Sequence, residues 1–133
     1  MNLTKLKAGD TAYIESEMAR ITDICREFSV VSKVIFENCY LTEDEKKTLC
    51  HIATKVKPDF IKTSTGFGTG GATFEDVALM KRETEGSGVK IKAAGGIRTL
   101  KTALEMINLG VSRIGSTSSV AIMEEYMANS PLL

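Results

Sequence analysis

The sequence predicts one parallel α/β domain, and three observations carry that prediction. Short apolar runs rich in β-branched residues recur along the chain, each run gives way to a glycine-rich or polar turn, and the segments between carry apolar residues every three or four positions. Two of the runs end in lysine, at Lys62 in Asp59-Phe60-Ile61-Lys62 and at Lys92 in Val89-Lys90-Ile91-Lys92, and each lysine precedes a glycine turn. With 43% hydrophobic and 26% charged residues, the chain of 133 residues can bury one core, so residues 1–133 are read as a single domain.

Gly9-Asp10 supplies a turn and an N-cap for a helix from Thr11 to Phe28, whose Ile14, Met18, Ile21, Cys25 and Phe28 share a face. Val30 to Phe36 is the first strand, closed by Glu37-Asn38. In Thr42-Glu43-Asp44-Glu45 a hydroxyl and a carboxylate three residues apart can each satisfy an exposed backbone N–H, so a helix begins there. Its inner face is Leu49, Ile52, Ala53 and Val56, and Lys57-Pro58 stops it. The strand Asp59 to Thr63 leads through Gly66 to Gly71 into a helix from Thr73 bearing Phe74, Val77, Ala78 and Lys81. After Gly86-Ser87-Gly88 come the strand Val89 to Ala93, the turn Gly95-Gly96, and a helix capped by Thr99 with Leu100, Ala103, Leu104 and Ile107, ending at Gly110. Val111 to Gly115 is the last strand. Ser116-Thr117-Ser118-Ser119 then opens a helix whose Val120, Ile122, Met123, Tyr126 and Met127 read as core packing, and Pro131-Leu132-Leu133 reads as a loose tail. One helix followed by four strand-helix units implies parallel strands with their C-terminal ends on one side, where both lysines and every glycine turn fall.

Charge and cysteine content narrow the function classes. Lys plus Arg equals Asp plus Glu at 17 each, which leaves no net field to favour nucleic acid or a membrane surface. No run approaches the roughly 18 apolar residues of a membrane span, and the N-terminus lacks a signal-peptide core, so a cytoplasmic location is expected. Cys25, Cys39 and Cys50 are odd in number and lack C-x-x-C spacing, which speaks against a disulfide framework and a zinc ribbon. His51 has no second metal-type residue at suitable spacing and reads as a surface or partly packed side chain; no metal site is expected.

Strand ends of this kind are where parallel α/β folds place their active sites. A lysine closing an apolar strand sits where water is scarce, and a second cation nearby favours loss of its proton, the condition for a nucleophilic amine. Gly66-Phe67-Gly68-Thr69-Gly70-Gly71 matches the G-x-G-x-x-G pattern of dinucleotide-binding turns, but the next strand ends in Lys92-Ala93-Ala94, without the carboxylate that would hold a ribose. Gly95-Gly96 and Gly115-Ser116-Thr117-Ser118-Ser119 suit a phosphate better, since they combine backbone N–H groups, hydroxyls and a helix start.

Lys-Thr-Ser-Thr-Gly at Lys62 to Gly66, Lys-Ala-Ala-Gly-Gly-Ile-Arg at Lys92 to Arg98 and Arg-Ile-Gly at Arg113 to Gly115 resemble, in order and spacing, motifs of deoxyribose-phosphate aldolase, a class I aldolase on an eight-stranded α/β barrel. Leu6-Lys7-Ala8-Gly9-Asp10 and Val34-Ile35-Phe36-Glu37 resemble its preceding segments, so nearly all of this chain looks like the C-terminal half of that family. The resemblance implies half of a TIM-type barrel with four strands and about five helices. It also implies reversible cleavage of 2-deoxyribose 5-phosphate to acetaldehyde and glyceraldehyde 3-phosphate, with no cofactor. By the same resemblance Lys62 forms the Schiff base and Lys92 is the neighbouring cation that lowers its pKa. Thr63, Thr65 and Gly66 line the pocket, and Gly95, Gly96, Thr117 and Ser118 hold the sugar phosphate. Ser119 stands where the family usually has glycine. The strand that carries the family's proton-relay aspartate has no counterpart here, and Glu37 is the nearest carboxylate by position. Four strands cannot close a barrel, so a homo-oligomer or a complementary half-barrel chain is expected, with self-association favoured. The competing expectation is a sugar-phosphate-binding or assembly module without turnover.

Overall fold

In the computed structural model, which describes residues 1–129, four short strands form one parallel sheet. They are β1 (Lys33–Ile35), β2 (Phe60–Lys62), β3 (Lys90–Ala94) and β4 (Arg113–Gly115), each hydrogen-bonded to the next in sequence. A doubly wound sheet reverses its strand order at a switch point; this one does not, and an unbroken order is that of a (β/α) barrel. Six helices accompany it: α1 (Leu3–Lys7), α2 (Thr11–Glu27), α3 (Glu43–Val56), α4 (Phe74–Glu83), α5 (Leu100–Asn108) and α6 (Ser119–Asn129). The architecture is half of a (β/α) barrel.

The predicted caps form. Asp10 accepts a hydrogen bond from the Tyr13 N–H at the start of α2, and Thr42 and Glu45 make the reciprocal capping box of α3. Thr99 caps α5 by accepting from the Thr102 N–H, and Thr73, where a helix start was expected, caps α4 by accepting from the Asp76 N–H. Lys57, in the left-handed region at φ 58°, ends α3 immediately before Pro58. Alternation along the strands sends Ile61, Ile91 and Ala93 into the helical layer, where they are buried with Leu49, Ile52, Val77, Met80 and Met106. The opposite sheet face carries Lys33, Phe60, Lys62, Lys90, Lys92 and Arg113.

Three sequence expectations need correction. A sixth helix, α1, was not foreseen; the Asn2 side chain caps it by accepting from the Lys5 N–H, and Leu6 anchors it in the core. The first strand is shorter than Val30 to Phe36, because Val30 and Val31 precede the pairing with β2 and stay more than half exposed. The apolar face of α6 is not core: Ile122 is buried, but Val120, Met123, Tyr126 and Met127 are 47 to 70% exposed. That helix follows β4, an edge strand, so no further β/α unit among the described residues covers it. Phe28, the C-cap residue of α2, is 69% exposed and uncovered in the same way at the β1 end. The tail Pro131 to Leu133 lies outside the described residues.

Candidate active site at the strand ends

Register brings the two lysines together. Lys62 on β2 lies directly opposite Lys92 on β3, and Lys92 lies opposite Arg113 on β4. All three project from the face away from the helices, and both lysines are half-buried. The Lys92 pKa is lowered from the usual lysine value, first by burial and then by the positive charges of Lys33, Lys62 and Arg113. Gly115 makes room for that side chain: a Cβ at this position would lie 3.0 Å from Lys92 Cε and 3.4 Å from its Nζ.

A cleft of 420 Å³ opens beside the pair, lined by Lys62, Thr65, Gly66, Gly95, Gly96 and Thr117, with Arg98 and Ser116 also on its wall. Gly95 and Gly96 both adopt the left-handed region, at φ 85° and 79°, which exposes their backbone to the cleft at no steric cost. Gly71 packs so tightly on Gly95 that an added Cβ would come within 2.4 Å of the Gly95 carbonyl. The Ala72 N–H donates to the carbonyls of Ala94 and Gly95 at 3.0 and 3.1 Å, clasping the β2–α4 loop to the β3–α5 loop. The G-x-G-x-x-G turn is therefore occupied by its neighbours: Gly71 abuts Gly95, and Gly68 and Gly70 pack against Cys39.

Of the residues singled out by sequence, Lys62, Thr65, Gly66, Gly95, Gly96 and Thr117 line the cleft, and Lys92 adjoins it. Thr63 does not line it. One residue on from Lys62, Thr63 points into the helical layer and is fully buried; its hydroxyl donates to the Ala94 carbonyl at 3.2 Å and accepts from the Ala94 N–H at 3.1 Å. Ser118 also stands back from the wall, with its N–H donating to Ser116 Oγ at 2.9 Å. His51 is a surface residue facing Glu83 at 3.1 Å. Cys25, Cys39 and Cys50 are all free thiols, and burial pushes the Cys50 thiol up to about 12.

Sequence reading gave no role to Arg98 or the tie made by Glu37, and placed Ser116 only within a phosphate-type run. Ser116 Oγ donates to the Ile97 carbonyl and joins the two phosphate-type loops. Glu37, buried and left-handed at φ 58°, accepts from the Thr65 N–H at 3.0 Å and from the Thr65 hydroxyl. Both of its oxygens thus hold the loop that follows Lys62. Arg98 was visible inside a quoted motif, whereas the Glu37–Thr65 contact spans 28 residues and leaves no local signal.

Half of a parallel barrel, with a lysine pair and a glycine-lined anion-type cleft at its strand ends, defines the class to which this protein belongs: (β/α)-barrel proteins with an amine-bearing site. The deoxyribose-phosphate aldolase of Lactobacillus acidophilus is 55% identical over 124 residues, 93% of this chain and 52% of that protein. Among solved structures, the aldolase QR15 superposes with a TM-score of 0.86 at 43% identity, over 96% of this chain and 56% of its own. The deoxyribose-phosphate aldolase of Aeropyrum pernix, described as having a unique tetrameric structure, gives a TM-score of 0.80 at 26% identity, over 90% and 51%. No protein-family model matches. In sequence and fold the chain matches the C-terminal half of the deoxyribose-phosphate aldolase family. It spans about half the length of the curated relatives it matches.

Proposed function

We propose that this chain carries the amine chemistry of a deoxyribose-phosphate aldolase, acting on 2-deoxyribose 5-phosphate. The observation that supports the reading most directly is Lys62 in register with Lys92 on an open sheet face, at the mouth of a glycine-lined cleft with Arg98 on its wall. The Lys62 amine would add to the C1 aldehyde and lose water, leaving an iminium. Loss of the C3 hydroxyl proton then lets the C2–C3 bond break, with its electron pair delocalised into the iminium as an enamine, and glyceraldehyde 3-phosphate departs. Protonation of the enamine at C2 and hydrolysis release acetaldehyde and restore the amine. Lys92 supplies the adjacent positive charge; the N–H groups of Gly95 and Gly96, with Thr117 and Arg98, receive the phosphate. Copies of the chain would associate through uncovered apolar helical faces such as Ile107 on α5 and Met123 and Tyr126 on α6, each roughly half exposed.

One observation favours a second reading, phosphate binding without turnover: among the described residues no carboxylate lines the cleft, and both oxygens of Glu37 are engaged with Thr65. A coupled assay separates the two. Acetaldehyde released from 2-deoxyribose 5-phosphate, and abolished in Lys62→Arg, is the expected result. Saturable sugar-phosphate binding with no release would replace the aldolase by a binding module.

A further inference from the structure

The turn that follows β1 grips the chain that follows Lys62. The Phe36 N–H donates to the Lys62 carbonyl and the Asn38 N–H to the Thr63 carbonyl, both at 2.9 Å, and between them Glu37 is held in the left-handed region at φ 58°. A side chain seldom adopts that conformation unless its surroundings fix it, and here the carboxylate is aimed at Thr65. Glu37 is only 9% exposed, and among the described residues no cation pairs with it. An apolar side chain would fill such a place at lower cost, so the carboxylate has to be explained by what it accepts. Both of its hydrogen bonds come from one residue, through the Thr65 N–H and the Thr65 hydroxyl. The glycine-rich run lies directly on this pair: a Cβ on Gly68 would stand 3.1 Å from Glu37 Oε1.

Glu37 therefore decides the polarity of Thr65. A hydroxyl has one proton to donate and two lone pairs. The proton goes to Glu37, one lone pair accepts from the Phe67 N–H at 3.1 Å, and a single lone pair remains on a residue that lines the cleft beside Lys62. An amide of the same shape at position 37 could accept from only one of the two Thr65 donors and would present an N–H to the other. We infer that Glu37 is a positioning residue, which holds the Thr65 hydroxyl as a hydrogen-bond acceptor toward the cleft and thereby favours aldehydes that carry a hydroxyl donor. This role rests on the aldolase reading, since an aldehyde held at Lys62 supplies that donor. Glu37 acts through Thr65 and not on the reacting atoms.

A double-mutant cycle on the trapping of Lys62 tests the role. Acetaldehyde, which has no hydroxyl, and 2-deoxyribose 5-phosphate are each presented with cyanoborohydride, which reduces an iminium in preference to a free aldehyde. All adducts on Lys62 are counted by mass spectrometry, two-carbon and five-carbon alike, and the ratio of the two trapping rates is the selectivity for the sugar. Glu37→Gln and Thr65→Val should each lower that ratio about tenfold, and the double variant should fall no further than Thr65→Val alone, because the hydroxyl through which Glu37 acts is then already gone. An unchanged ratio in Glu37→Gln would overturn the inference. So would a drop in the double variant equal to the product of the two single drops, which is what a merely structural tie through the Thr65 N–H predicts. If circular dichroism shows Glu37→Gln unfolded, Glu37→Asp, whose carboxylate ends one methylene short of the hydroxyl, takes its place with the same expectation. No adduct on Lys62 of the unaltered chain with either aldehyde would instead refute the aldolase reading, and this role with it.

Discussion

Lys92 concentrates the electrostatic strain of the site. Its pKa in the fold is below the ordinary 10.5, because burial and the charges of Lys33, Lys62 and Arg113 all oppose the protonated form. A lysine with a depressed pKa makes the unfolded chain bind more protons than the folded one between the two values. Its cost is therefore present in full below the folded pKa and is relieved as pH rises toward 10.5. Lys92→Leu should raise the thermal midpoint at neutral pH and flatten the gain that the unaltered chain shows on going alkaline. Melting curves across that range check it, and an unchanged slope would remove Lys92 as its source. The lysine pair itself was legible in the sequence, since each lysine closes an apolar run before a glycine turn. Thr63 shows the limit of motif reasoning: strict alternation already places it on the face opposite Lys62, where it ties β2 to β3. Lys33 entered only with the register, which also set Arg113, known from a quoted motif, opposite Lys92; spacing along one chain reveals neither.

At the scale of elements, helix starts were the most readable features because capping is a matter of three or four adjacent residues. Asp10, Thr42 and Thr99 all act as the sequence indicates, and the helix expected from Thr73 starts with that residue as its cap. The faces of α2 and α6 were less readable, since periodicity marks an apolar stripe without saying whether anything covers it; Phe28 and Met123 satisfy the pattern and remain exposed. The loops after β2 and β3 work as one unit through the contact between Gly71 and Gly95. Gly71→Ala would drive a methyl group into the Gly95 carbonyl region and force the loops apart, at a cost of about 1–3 kcal/mol by analogy with overpacking. Urea unfolding should register that loss, and binding of a sugar phosphate should weaken with it. Full stability together with unchanged affinity would show that the loops are independent.

The molecule as a whole is four β/α units of a barrel architecture, with a site that lies within a single sheet face. Its likeness to deoxyribose-phosphate aldolases covers nearly the whole chain and about half of each relative, and the described residues hold the lysine pair and the anion-type cleft together. The parallel α/β class and the gathering of the strand ends on one side were legible from alternating strand and helix patterns, whereas the half-barrel came from the resemblance and the strand order from the structure. The cationic character of the sheet face away from the helices was not legible, because a chain with equal numbers of acidic and basic residues gives no hint that its cations share one side. The central claim is that Lys62 is a nucleophilic amine positioned by this half-barrel. Incubating the folded chain with acetaldehyde and borohydride, then mapping the adduct by mass spectrometry, tests it most directly. A reduced two-carbon adduct on Lys62, in preference to the exposed lysines, is the predicted result; a folded chain modified only at surface lysines, or not at all, would contradict it.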